Sequence, residues 1–159
     1  FDPGNEKYTS VSFKDDVLGV LDTLSCHKFI LLDACHSGAF GNKGGAKDLG
    51  SDYAEAVMQL SKAARTTRVI ASCGEKESSY EDETWQNGAF TKVFKDLLND
   101  RGTCAEMDKD GTKGLSIGEI FGRLQMDVNQ LVKKVKRGKS QTPFATEGVL
   151  REGVQVWGD

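Results

Sequence analysis

Phe29-Ile30-Leu31-Leu32-Asp33-Ala34-Cys35-His36-Ser37-Gly38 is the stretch on which the reading of this chain turns. An apolar run of strand length passes straight into a polar turn that ends on glycine and carries one cysteine. The run is continuous rather than alternating, which predicts a strand over 28–33 buried on both faces, as in a parallel sheet covered by helices. In such sheets ligands and chemistry collect outside the carboxyl ends of the strands. Cys35 is therefore displayed at a site position, and Asp33, two residues earlier, shares its face.

Working outward, 1–10 reads as irregular, with Pro3-Gly4-Asn5 as a turn. The spacing of Phe13, Val17, Val20, Leu21 and Leu24 predicts a helix over 12–24, opened by Ser12 with Asp15 three residues on. Beyond the cysteine, 40–50 is a glycine-rich exposed loop, and 52–65 is a helix with Ala54, Val57, Met58 and Leu60 on its apolar side. A second strand is expected over 68–74, an acidic loop over 75–86 and an amphipathic helix over 88–99. The last long helix, 116–134, opens on the capping box Ser116-x-x-Glu119, and one or two strands close the chain over 141–157. Strands alternating with helices give the fold class as α/β, a mostly parallel sheet flanked by helices.

The bulk numbers exclude several function classes. With 159 residues the chain suits one domain with a sizeable core. A formal net charge of −3 offers no electrostatic case for nucleic acid. No stretch reaches the roughly 18 apolar residues of a membrane span, and no signal peptide is visible at the start. Cys26, Cys35, Cys73 and Cys104 lie far apart without a CxxC pair, which argues against zinc and against a disulfide framework and fits reduced thiols in a cytoplasmic protein. No internal repeat appears.

The hexamer Asp33-Ala34-Cys35-His36-Ser37-Gly38 closely resembles the nucleophile segment of the caspase-like cysteine peptidases: caspases, metacaspases and their bacterial relatives, with legumain and gingipain further off. The likeness extends along the chain. Val69-Ile70-Ala71-Ser72-Cys73-Gly74 with Ser79-Tyr80-Glu81 resembles the strand and loop after the nucleophile, and Gly88-Ala89-Phe90-Thr91 the next helix start. Asp110-Gly111 through Glu119, then Gln141-Thr142-Pro143, resembles the C-terminal helix and closing strand. The resemblance implies a caspase-like sandwich and a cysteine endopeptidase acting on polypeptides by a Cys–His dyad.

Cys35 is then the nucleophile. Taken alone, a free cysteine is most often a small buried hydrophobe. As a nucleophile it needs a base, because the thiolate attacks and a free thiol has a pKa of about 8.5. The only histidines are His27 and His36. His36 is adjacent to Cys35, where neighbouring side chains diverge. His27 begins the strand, about six residues of roughly 3.3 Å from the cysteine. In the resembled family the base sits in a His-Gly turn upstream, so residues 1–159 read as the carboxyl-side portion of the domain. The histidine, and the second oxyanion donor beside the Cys35 N–H, are expected on an amino-terminal fragment.

The resemblance also implies that Asp33 lines the S1 pocket and pairs with a substrate Lys or Arg. A carboxylate at the end of an apolar strand asks for a cation or for several N–H donors, the second being a purely structural role. Ser72, Cys73 and Glu81 flank the pocket in similar proteins; the alternatives are core packing for Cys73 and a solvated charge for Glu81. Lys43 and Lys47 are candidate self-cleavage sites on an easily unfolded tether, or ordinary solvated lysines.

No cofactor is required by this pattern. Residues 108–119 imitate a calcium loop, with oxygen-bearing residues at positions 1, 3, 5, 9 and 12, but Lys113 stands where the sharp turn wants glycine and Gly102-Thr103 interrupts the preceding helix. The segment is therefore read as a turn and a capping box. Some metacaspases need calcium, through acidic residues that do not map onto this chain. The basic run 133–139 is a favourable helix end or a partner-docking patch, and a regulatory domain or subunit stands separately among the expected partners. The rival to a peptidase is a catalytically silent homologue acting as scaffold. A thiol phosphatase is rejected, because Gly41 stands where an arginine is wanted.

Overall fold

The structure, a computed structural model, describes residues 16–17, 19–26, 28–33, 67–74, 77–146 and 155–158. In chain order the elements are α1 (Gly19–Asp22), β1 (Lys28–Leu32), β2 (Thr67–Ala71), β3 (Glu81–Asp82), β4 (Asn87–Gly88), α2 (Ala89–Asn99), α3 (Arg101–Met107), β5 (Gly114–Ser116), α4 (Ile117–Val135), β6 (Phe144–Ala145) and β7 (Gln155–Gly158). The predicted helix over 52–65 lies outside the described residues, and of the predicted helix over 12–24 the turn α1 is described.

The main sheet runs β1-β2-β6, with β1 and β2 parallel and β6 antiparallel to β2. Val69 and Ala71 point to one face, where Leu21, Ile30 and Leu32 pack against them. Ile70 points to the other face and joins Phe29 in the main core with α2 and α4. The period of two thus serves two apolar layers, which is why β2 is continuously apolar from Val69 to Ala71. β1 differs from its expected burial: Leu31 is exposed.

Helix α2 buries Ala89, Phe90, Val93 and Leu97 at helical spacing. They pack against Ile120, Leu124, Val128 and Val132 of α4. The Ser116–Glu119 capping box is present: Ser116 Oγ accepts from the Glu119 N–H, and Glu119 Oε2 accepts from the Ser116 N–H at 2.9 Å. Three elements depart from the sequence reading. Helix α3 forms across Gly102-Thr103, because Asp100 caps it by accepting from both of their N–H groups. The expected loop 75–86 contains β3, which pairs with β4 through a turn that holds Gln86 at a φ of 58°. Residues 114–116 form β5, which pairs with β7. Among the described residues no helix is long and apolar enough to cross a membrane.

Candidate active site

β1 ends at Leu32, and Asp33 follows at the carboxyl end of the parallel pair. Pairing continues one step beyond β2, where the Ser72 N–H donates to the Leu32 carbonyl at 2.8 Å. Asp33 is exposed, yet its carboxylate is fixed from two directions. Ser79 Oγ donates to Oδ1 at 3.2 Å. The Thr91 N–H donates to Oδ2 at 3.1 Å, and the Thr91 hydroxyl donates to the same oxygen. Thr91 is the third residue of α2, so Asp33 takes the N–H that a helix normally offers to its own capping side chain. Gly88, the N-cap of α2, has no side chain for that role. A Cβ on Gly88 would lie 2.8 Å from Asp33 Cγ, closer than real contacts, so glycine makes room for the imported carboxylate.

Behind Asp33 stands Gln141, fully buried. Its Nε2 donates to the Ser72 carbonyl at 2.9 Å and to Ser79 Oγ at 3.3 Å, and its Oε1 accepts from the Tyr80 N–H at 2.9 Å. Ser79 therefore accepts from Gln141 while donating to Asp33, and the hydroxyl has its direction fixed from both sides. A second staple lies beside it: Glu77 accepts from the Thr142 N–H at 2.6 Å, from Thr142 Oγ1 at 3.1 Å and from Ser140 Oγ at 3.2 Å.

Of the residues singled out in the sequence, Asp33, Ser72 and Cys73 meet at the ends of β1 and β2. Ser72 and Cys73 are buried, and Ser72 Oγ has no nitrogen or oxygen partner among the described residues. Burial pushes the Cys73 thiol up to about 11; the Ser72 hydroxyl opposes the rise, and the Glu77 and Asp33 carboxylates add to it. Cys73 is thus protonated at neutral pH and is no competing nucleophile. Cys104 is buried under α2 and donates to the Leu97 carbonyl at 3.1 Å. Glu81 is exposed at the start of β3, beside Asp82, whose carboxyl is held down at about 2 chiefly by its bond to Lys136 at 2.8 Å. Lys136 of the basic run is thereby engaged within the chain. Cys35, Lys43 and Lys47, with His27 and His36, lie outside the described residues. Thr91 and Gln141 are the neighbours of Asp33 and Ser79 that the sequence reading did not place at the candidate site.

The residues able to hold a metal ion, among those described, are Asp108, Asp110 and Glu119, each with one carboxylate oxygen within 4.8 Å of the others. Both sequence objections to this loop are corrected. Helix α3 precedes it, and Lys113 takes the left-handed turn, with φ at 61°. The carboxylates are already engaged locally: Asp108 accepts from the Thr112 and Lys113 N–H groups, and Glu119 accepts from the Lys109 N–H at 2.9 Å. A cation would take only the lone pairs these donors leave.

No curated protein and no solved structure matches the chain. The profile of the Caspase domain family matches residues 9–152, which takes in both strands, the Asp33 anchor and the helix it caps. The chain belongs to the caspase-domain family of cysteine peptidases.

Proposed function

We propose that the protein is a cysteine endopeptidase that cleaves polypeptides after Lys or Arg. Cys35 is the nucleophile and Asp33 the acidic residue of the S1 pocket. The thiol proton passes to a histidine on a segment outside this chain, the thiolate attacks the scissile carbonyl carbon, and the histidine returns the proton to the leaving amine. Water then hydrolyses the thioester. The observation that carries the basic specificity is Asp33 itself: an exposed carboxylate at the strand end, held by neutral donors and paired with no cation among the described residues. Neutral donors fix its position and leave its charge uncancelled, which suits recognition of an incoming cation. Cleavage at Lys43 or Lys47 would be self-processing by the same specificity.

Turnover of short fluorogenic peptides carrying Arg, Lys or Asp before the scissile bond tests this, in the complete protein and in Cys35→Ala, with calcium and with chelator. Cleavage after Arg and Lys is expected, lost in Cys35→Ala and indifferent to chelator. Cleavage after Asp would retain the enzyme and remove Asp33 from the pocket. Absence of turnover in every condition would favour the scaffold. Restoration by calcium alone would turn attention to Asp108, Asp110 and Glu119.

A further inference from the structure

We propose that Thr91 sets how the Asp33 carboxylate meets a basic side chain, and hence the balance between lysine and arginine. The proposal rests on the reading of Asp33 as the S1 acid. An ionised carboxylate offers about four lone-pair positions, two on each oxygen. Thr91 takes both on Oδ2, one through its backbone N–H at 3.1 Å and one through its hydroxyl. Ser79 takes one on Oδ1 at 3.2 Å. Among the described residues this leaves a single acceptor position, on Oδ1.

Arginine gains over lysine at a carboxylate when its planar fork places one N–H on each oxygen. That second bond has no free position on Oδ2. An ammonium group is a point charge on a flexible stem and needs only the remaining position on Oδ1. Thr91 therefore removes arginine's geometric advantage while leaving the charge attraction intact for both side chains. It acts through Asp33 and is a positioning residue.

Thr91→Ala keeps the backbone N–H and removes the hydroxyl oxygen without putting an atom in its place, which opens one position on Oδ2. The ratio of kcat/KM for an Arg peptide over its Lys counterpart is expected to rise about three- to tenfold, the worth of one added hydrogen bond. Thr91→Ser keeps the donor and should keep the parent ratio. Ser79→Ala opens Oδ1 only, so its ratio should not rise. Thermal melting identifies variants that fail to fold; if Thr91→Ala is one, Thr91→Ser carries the test. A folded Thr91→Ala with the parent ratio overturns the proposal, as does a Thr91→Ser with a raised ratio. Failure of the S1 reading looks different: Asp33→Asn would then still cleave after Lys and Arg.

Discussion

Helices α4 and α2 each receive a carboxylate at the amino-terminal turn, and they receive it by opposite routes. Helix α4 gets Glu119 from within its own first turn, where Ser116 and Lys109 are the donors, three and ten residues away. Helix α2 gets Asp33 from the end of a strand, 58 residues from the Thr91 it engages. Glu119 completes a cap and is spent on it: hydrogen bonds from the Ser116 backbone, its largest influence, hold its carboxyl below the ordinary range. Asp33 performs the capping bond as well but stays exposed at the mouth of the parallel strands. A local carboxylate is explained by the helix it closes. One carried across the fold asks for a further reason, and the proposed S1 role offers one.

The sharpest way to break the contrast is Gly88→Ala. The new methyl group would displace the Asp33 carboxylate, so cleavage after basic residues should fall at least tenfold, with about 1–3 kcal/mol of stability lost to overpacking. Cleavage kinetics and thermal melting on the same sample check it; unchanged cleavage would mean that Asp33 need not sit at the α2 terminus.

Ser116→Ala attacks the local cap instead. It should cost about 1 kcal/mol of stability and change kcat/KM by less than about twofold. Its pH dependence carries a sign. A carboxyl lowered by folding contributes stability that is complete above its ordinary range and fades as pH falls through the lowered value. Glu119 and Asp110 are both of this kind, the latter through the Thr112 bonds. Acid melting between about pH 5 and pH 2 should therefore destabilise the parent more steeply than Glu119→Gln.

The smallest effect is expected at Lys113, whose left-handed φ of 61° disfavours a side chain. Lys113→Gly should stabilise by up to about 1 kcal/mol, read from denaturant midpoints, with no change in cleavage. A loss of stability would show that the Lys113 side chain contributes more than its backbone strain costs.

The same contrast explains what was legible in the sequence. Ser116-x-x-Glu119 announces its helix because all the partners lie within one turn, and the structure contains that box as read. The α/β architecture was legible too, since the strand around Ile30 and the strand around Ile70 each carry their apolar run in one piece. Helix α3 was hidden because Gly102-Thr103 reads as a break, although Asp100 before it was the available signal. At the site, Asp33 visibly demanded a cation or N–H donors. That one donor would be Thr91, and that Gln141 would fix Ser79 from behind, follows from packing between segments dozens of residues apart. No local pattern encodes such partners.

The bonds of Gln141 also bear on the order in which the molecule is made. Ser72, Ser79 and Tyr80 are held by an amide that leaves the ribosome more than 60 residues after them. Long-range closures of this kind form late, after the loop entropy between distant segments has been overcome. A nascent chain that has exposed Asp33 and Thr91 but not Gln141 has the acid without its full support. Full support of the Asp33 carboxylate thus waits until Gln141 has emerged and closed on Ser79.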